Sequence, residues 1–200
     1  MAQKKSFHER YQDNDTPWEI NRPDHNLVEI VESNKIPTGR AIDIGCGTGD
    51  NAIWFAKQGF IALGCDSSPL AIDRARKKAG IIDNISFQSL EFLDDVIPGS
   101  PLDLAFDRGC FHTIPEGDLR CRFVKKIWHI LKDKGLWLSL IGNADEKERQ
   151  AEGPPQLTAA QIAAAVEPHF EILSLTTGWL DMDMDNNPPR CWRCLMQKRI

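Results

Sequence analysis

The chain has 200 residues, with 24 Lys and Arg against 29 Asp and Glu and a formal charge of −5. That acidic balance, with no basic block, speaks against a general electrostatic grip on nucleic-acid phosphates, and no window approaches the roughly 18 apolar residues of a membrane span. At 42% hydrophobic and 26% charged residues, the composition is that of a single globular domain over 1–200 rather than a disordered chain. The opening stretch Met1–Asp15 lacks the apolar core of a secretory signal, so the expected location is cytoplasmic. The six cysteines, Cys46, Cys65, Cys110, Cys121, Cys191 and Cys194, are then expected as reduced thiols.

Before Arg40, the string Thr16-Pro17-Trp18-Glu19 and a helix-like Leu27–Ser33 suggest that 1–39 add a helix and a flap. From Arg40 short apolar runs alternate with helical spacing. Strands are predicted at Ala41–Ile44, Ile61–Cys65, Ile85–Gln88, Leu102–Phe106 and Leu136–Ile141. Helices are predicted at Asp50–Gln58, Pro69–Lys78 and Asp118–Leu131, with Gly59, Gly80 and Gly135 as stop signals. This rhythm over 40–142 predicts an α/β, doubly wound sheet. In 143–200 Gly153-Pro154-Pro155 breaks the chain and Thr158 can cap a helix over Ala159–Val166. Two last strands, Phe170–Leu175 and Cys191–Gln197, are too close in sequence for another crossover and predict a C-terminal antiparallel hairpin.

The strongest local signal is Ala41-Ile42-Asp43-Ile44-Gly45-Cys46-Gly47-Thr48-Gly49-Asp50, a strand entering a glycine-rich turn and a helix start. Gly45, Gly47 and Gly49 let the backbone approach a ligand, and the free amides of the next helix face the same crevice. A dinucleotide fingerprint is G-x-G-x-x-G, and here Asp50 stands where the third glycine would fall, which counts against NAD. Asp43 disfavours a pyrophosphate and suits an ammonium or sulfonium. Asp66, ending the second strand, can accept hydrogen bonds from ribose hydroxyls.

The run DIGCGTG, then GCDSS and LDLAFDRGCFHTIP, resembles the class I S-adenosylmethionine-dependent methyltransferases over roughly Trp18–Ile200. TPWEINRP together with FDRGCFH is similar to the small-molecule branch that holds the thiopurine, tellurite-resistance and halide/thiol methyltransferases. The resemblance implies a Rossmann-like seven-stranded sheet, mostly parallel, of order 3-2-1-4-5-7-6. It implies that Asp43, Gly45, Gly47 and Gly49 surround the methionine part of S-adenosylmethionine, that Asp66 and Ser67 hold the ribose, and that Leu90, Glu91 and Phe92 lie at the adenine. It further implies Asp107 and Arg108 facing the amino-acid end, and Trp18 and Arg22 in a flap closing over cofactor and substrate.

Other features have blander readings beside sharper ones. Cys46 fits the tight loop as a small apolar side chain, and direct methyl transfer needs no enzyme thiol. In Cys191-Trp192-Arg193-Cys194, residues three apart in a strand point to opposite faces, so neither a metal nor a redox pair is expected. His112, in the loop after the fourth strand, is the candidate acid–base residue, and alternatively a histidine that caps and packs that loop. His8, His25, His129 and His169 are expected on the surface. Asn187-Pro188-Pro189-Arg190 resembles an N-P-P-aromatic motif but lies at the wrong strand, so base flipping is not expected. The acidic Asp181–Asp185 run reads as a loop at a possible substrate mouth or simply a solvated one. A partly apolar pocket is expected under Trp18 and Phe111.

The resulting expectation is a monomeric or weakly dimeric methyltransferase with S-adenosylmethionine as cofactor, no metal, and a small-molecule acceptor, a soft sulfur, selenium, tellurium or halide nucleophile. The alternatives are an O- or N-methyltransferase with His112 as required base, a nicotinamide-dependent oxidoreductase, and a cofactor-binding module without turnover.

Overall fold

The central apolar runs pair into one sheet because they carry apolar side chains on both faces and are buried between two helical layers, while the two edge runs, Ile85–Ser89 and Phe170–Trp179, are largely exposed. The computed structural model describes residues 5–146, 155–182 and 188–200. Its strands are β1 (Arg40–Ile44), β2 (Ile61–Asp66), β3 (Ile85–Ser89), β4 (Leu102–Arg108), β5 (Leu131–Gly142), β6 (Phe170–Trp179) and β7 (Arg190–Lys198), in the order β3-β2-β1-β4-β5-β7-β6. The pairings β3-β2-β1-β4-β5 are parallel, while β7 runs antiparallel to both β5 and β6. This is the predicted order and the predicted C-terminal hairpin.

Helices α1 (Phe7–Gln12), α2 (His25–Ser33), α3 (Asp50–Lys57), α4 (Pro69–Ala79), α5 (Asp118–Ile130) and α6 (Ala159–Val166) cover the sheet. Ile42, Ile44, Trp137, Ile141 and Met196 face α5 and α6 through Phe123, Val124, Ile127, Ile162 and Val166. Ala41, Leu104, Phe106, Leu138 and Leu140 face α2 and α3 through Leu27, Ile30, Trp54 and Phe55. Cys194 packs in the first of these layers and Cys191 in the second, on opposite faces as strand geometry requires.

Several boundaries differ from expectation for tertiary reasons. Helix α1 lies in a polar stretch without helical periodicity; it is held by a capping box in which Ser6 and Glu9 satisfy each other's backbone amides. Helix α2 begins at His25 because Asp24 accepts the Asn26 amide. Gly135 does not close α5: the chain enters β5 at Leu131, which pairs with Leu102 across an irregularity, and Gly135 lies within the strand. An added Cβ there would meet the Lys132 carbonyl at 2.8 Å. Strand β6 runs on to Trp179 because β7 supplies partners as far as Trp179↔Arg190. Thr158 does cap α6, with Gln161 completing a capping box. Gly153, Pro154 and the Asp183–Asp185 and Asn187 parts of the motifs above lie outside the described residues.

Between β1 and β4 the strand order reverses, so the connections leaving their carboxyl ends diverge and open a crevice.

The thiols should differ sharply in reactivity. Cys46, Cys65, Cys191 and Cys194 are buried, half-buried Cys110 bonds the Ile44 carbonyl, and Cys121 is exposed. A thiol-reactive dye should find one fast group in the native protein, absent from Cys121→Ser, and all of the thiols after unfolding.

Candidate active site

At the carboxyl end of β1 the chain turns through Gly45, Gly47 and Gly49, with φ of 66°, 53° and 88°. These left-handed angles strain any residue with a Cβ. Space forbids one as well: a Cβ on Gly49 would meet the Phe87 ring at 2.7 Å, and one on Gly47 the Tyr11 hydroxyl oxygen at 2.7 Å. Cys46 closes the turn through its amide to the Cys65 carbonyl, and burial pushes its thiol well up, so it is a packing group and not a nucleophile.

Asp43 is 1% exposed. It accepts the Ala52 amide from the first turn of α3, and its Oδ2 has no partner among the described residues. Burial raises its pKa to about 8, with the neighbouring Asp66 and Asp107 carboxylates adding to the rise. A buried acceptor left half-satisfied costs about 1–3 kcal/mol unless a donor or cation completes it.

Asp66 sits one strand over. Its Oδ2 accepts the Gly47 amide at 3.0 Å and its Oδ1 the Ser68 amide at 2.8 Å, so it braces the glycine loop while each oxygen keeps a second lone pair. Burial raises its pKa against the pull of these amides. Ser67 beside it is exposed, whereas Ser68 is buried and caps α4. Past β3, Leu90 is buried with its amide on the Asp66 carbonyl, Glu91 is exposed, and half-buried Phe92 packs on Phe123 with ring centroids 5.0 Å apart. Asp66, Ser67, Leu90, Glu91 and Phe92 therefore share one end of the sheet.

After β4 the outcome is different. Asp107 is fully buried and its carboxylate is committed inward: Oδ1 accepts the Phe111 and Cys110 amides at 2.9 and 3.2 Å, and Oδ2 accepts the Trp137 indole N–H at 2.9 Å. It holds the loop instead of reaching outward. Phe111 is likewise core, stacked edge-on against Trp137, and lines no pocket beneath Trp18. Arg108 points outward but is engaged by protein: Nε donates to Asp24 Oδ2 at 2.7 Å, Nη1 to the Trp18 carbonyl at 3.1 Å, and Nη2 to the Asp181 carbonyl. It thereby clamps the N-terminal segment to the start of the β6–β7 connection.

Trp18 is half-buried and meets the site through Tyr11, to whose hydroxyl its indole N–H donates at 3.0 Å. Tyr11, 2% exposed, is the residue that rests on Gly47. Arg22 does not turn inward: its exposed guanidinium pairs with Asp181 at 3.0 Å, because that carboxylate offers a partner at the surface. Lys78 ties the assembly together, donating to Thr48 Oγ1 and Asp50 Oδ2 at 2.8 and 2.9 Å and to Asn21 Oδ1 at 3.2 Å. Sequence reasoning missed Tyr11, Asp24 and Lys78. The available signals were that Tyr11 is the chain's single tyrosine and that Asp24 precedes a helical run.

His112 is 3% exposed in the short 3-10 turn Phe111–Thr113, and its Nδ1 accepts the Gly142 amide at 2.6 Å. Burial lowers its pKa to about 4, so the ring is neutral at physiological pH. A backbone N–H can only donate, so Nδ1 is the acceptor and the ring hydrogen sits on Nε2. In this tautomer, with Nδ1 on the Gly142 amide and hydrogen on Nε2, His112 has no free lone pair. His8, His25 and His129 are exposed and His169 half-buried.

Residues 2–190 match the family model described as thiopurine S-methyltransferase. The chain belongs to that family. It is an S-adenosylmethionine-dependent methyltransferase of the class I small-molecule type. It is 30% identical over 165 residues to a probable thiol methyltransferase 2 of Arabidopsis thaliana, covering 80% of this chain and 71% of that protein. It is 26% identical over 180 residues to thiocyanate methyltransferase 1 of Brassica oleracea, covering 89% and 75%. The fold is shared with Burkholderia thailandensis 1,6-didemethyltoxoflavin-N1-methyltransferase, solved with bound S-adenosylhomocysteine, at a TM-score of 0.74 and 17% identity over 100% of this chain and 93% of that one. Among the described residues no helix is long and apolar enough to cross a membrane.

Asp43 makes a pH prediction. Its folded pKa lies above the unfolded value of about 3.9, so the native state holds the extra proton and stability falls as pH rises toward 8. Removing the charge in Asp43→Asn should therefore give a stability advantage over the parent that widens from pH 5 to pH 8, read by urea unfolding of the ligand-free protein.

Proposed function

We propose that this methyltransferase acts on a small soft nucleophile, a thiolate or a pseudohalide such as thiocyanate, that arrives already bearing its reactive electron pair. The observation that carries this reading is that the groups after β4 able to take a proton are committed. Both Asp107 oxygens hold loop and indole N–H groups, His112 Nδ1 holds a backbone amide, and the Cys110 thiol bonds the Ile44 carbonyl. An alcohol or amine acceptor that must lose a proton finds no such base there, whereas a preformed anion needs none. The names borne by the thiol and thiocyanate methyltransferase relatives support the same class of acceptor.

The residues present fit the cofactor. Asp43 offers a buried carboxylate whose Oδ2 has no partner among the described residues, which calls for a cation, and the loop beside it turns through left-handed angles that glycine takes without strain. In this reading Asp43 faces the positively charged methionine part, Asp66 and Ser67 the ribose, and Leu90, Glu91 and Phe92 the adenine. S-adenosylmethionine, when bound, supplies a methyl group made electrophilic by its sulfonium. The protein's own contribution is to hold and align. Asp66 braces the loop through Gly47, Tyr11 and Trp18 cover it, and Arg108 keeps the covering segment against Asp24 and Asp181, excluding water from the crevice. A water-poor site favours a reaction in which an anion and a cation become two neutral products.

Two outcomes follow. With thiocyanate, iodide, small thiols and small phenols offered in parallel, labelled methyl should appear on the sulfur and halide acceptors and not on the phenols; phenol-only transfer would overturn the acceptor class. Cofactor affinity should rise between pH 6 and pH 8, since Asp43 must shed its proton to meet a cation. Calorimetry in that range should show proton release on binding, and Asp43→Asn should bind more weakly without the pH dependence.

A further inference from the structure

We propose that His112 is a neutral hydrogen-bond donor to the methyl acceptor through its Nε2–H, so that the site reads a weakly hydrated anion without offering it a positive charge. The inference rests on the acceptor class above and assigns a residue that recognises it. The Gly142 amide fixes the ring hydrogen on Nε2, and Nε2 has no hydrogen-bond partner among the described residues. The Nε2 edge of the ring lies beside Gly109, where an added Cβ would come 3.7 Å from Nε2, so glycine keeps a side chain at position 109 off that edge. Gly109 and His112 both follow β4 at its carboxyl end, the edge of the sheet where α/β folds seat their ligands.

An uncharged donor in a water-poor site discriminates by hydration. A strongly hydrated anion loses more on leaving water than such a donor returns, whereas thiocyanate, iodide or a thiolate loses less. A cationic histidine would have attracted both kinds; burial keeps this one neutral.

The test uses the full chain, labelled with 15N-histidine and loaded with S-adenosylhomocysteine, and titrated with sodium thiocyanate and then with sodium fluoride. The His112 ring should give the signature of hydrogen on Nε2, and thiocyanate but not fluoride should shift that resonance in a saturable way. Two variants divide the roles. In His112→Asn the side-chain oxygen can still accept the Gly142 amide but nothing reaches the Nε2 position; in His112→Gln a donor reaches that position but the tie to Gly142 is lost. His112→Asn should raise KM for thiocyanate about tenfold or more with S-adenosylhomocysteine affinity unchanged, and His112→Gln should restore most of it. A ring hydrogen found on Nδ1, or a parental KM in His112→Asn, would overturn the donor role even if thiocyanate is methylated. A saturable Nε2–H shift without methyl transfer would instead uphold it and sink the acceptor class. If His112→Gln does not fold, the resonance of the parent protein decides.

Discussion

A carboxylate kept from water at the end of β1 sets the terms for the crevice. Asp43 has a helix N-terminus on one side and, among the described residues, no partner for its second oxygen, with Asp66 and Asp107 nearby raising the cost of its charge. Such a group is stable only if it holds its proton or meets a cation. The loop beside it carries glycines because Gly45 and Gly47 take left-handed angles, and a Cβ on them would run into the Cys110 sulfur and the Tyr11 hydroxyl.

The N-terminal segment is bound to this centre by polar ties more than by apolar burial. Tyr11 seats on Gly47, Lys78 joins the loop and the α3 start to Asn21, and Arg108 joins β4 to Asp24, Trp18 and Asp181. A guanidinium that the family pattern assigns to the amino-acid end thus serves here as a clamp between two covering segments. The Arg108–Asp24 pair is nearly or fully buried, with side-chain exposures of 12% and 0%, and its strength lies in geometry that satisfies three donors at once.

Past β4 the loop is built around a committed carboxylate and a tautomer-fixed imidazole. Asp107 collects two amides and an indole N–H, which gives the turn its shape, and Gly142 chooses which nitrogen of His112 carries hydrogen. Neither role follows from residue type. An aspartate and a histidine after a strand's carboxyl end look like acid–base chemistry, and here both accept N–H groups of the protein itself.

The doubly wound sheet, the C-terminal hairpin, the opposite placement of Cys191 and Cys194 and the glycine loop were legible in the chain, because each rests on local periodicity or on a backbone angle only glycine takes easily, whereas the strand order came from the resemblance carried by the motifs. Helix α1 was not legible, since six residues held by a Ser6–Glu9 box carry no apolar period. Nor were the ends of β5 and β6, which neighbouring strands extend. Sequence by itself determined the fold and the kind of cofactor that one end of the sheet can hold. Only the tertiary structure decided that Arg22 faces solvent, that Phe111 is core, that Tyr11 meets Gly47, and that the His112 ring accepts the Gly142 amide. Those outcomes depend on partners distant in the chain, and a hydrogen bond's direction is set by the group it meets.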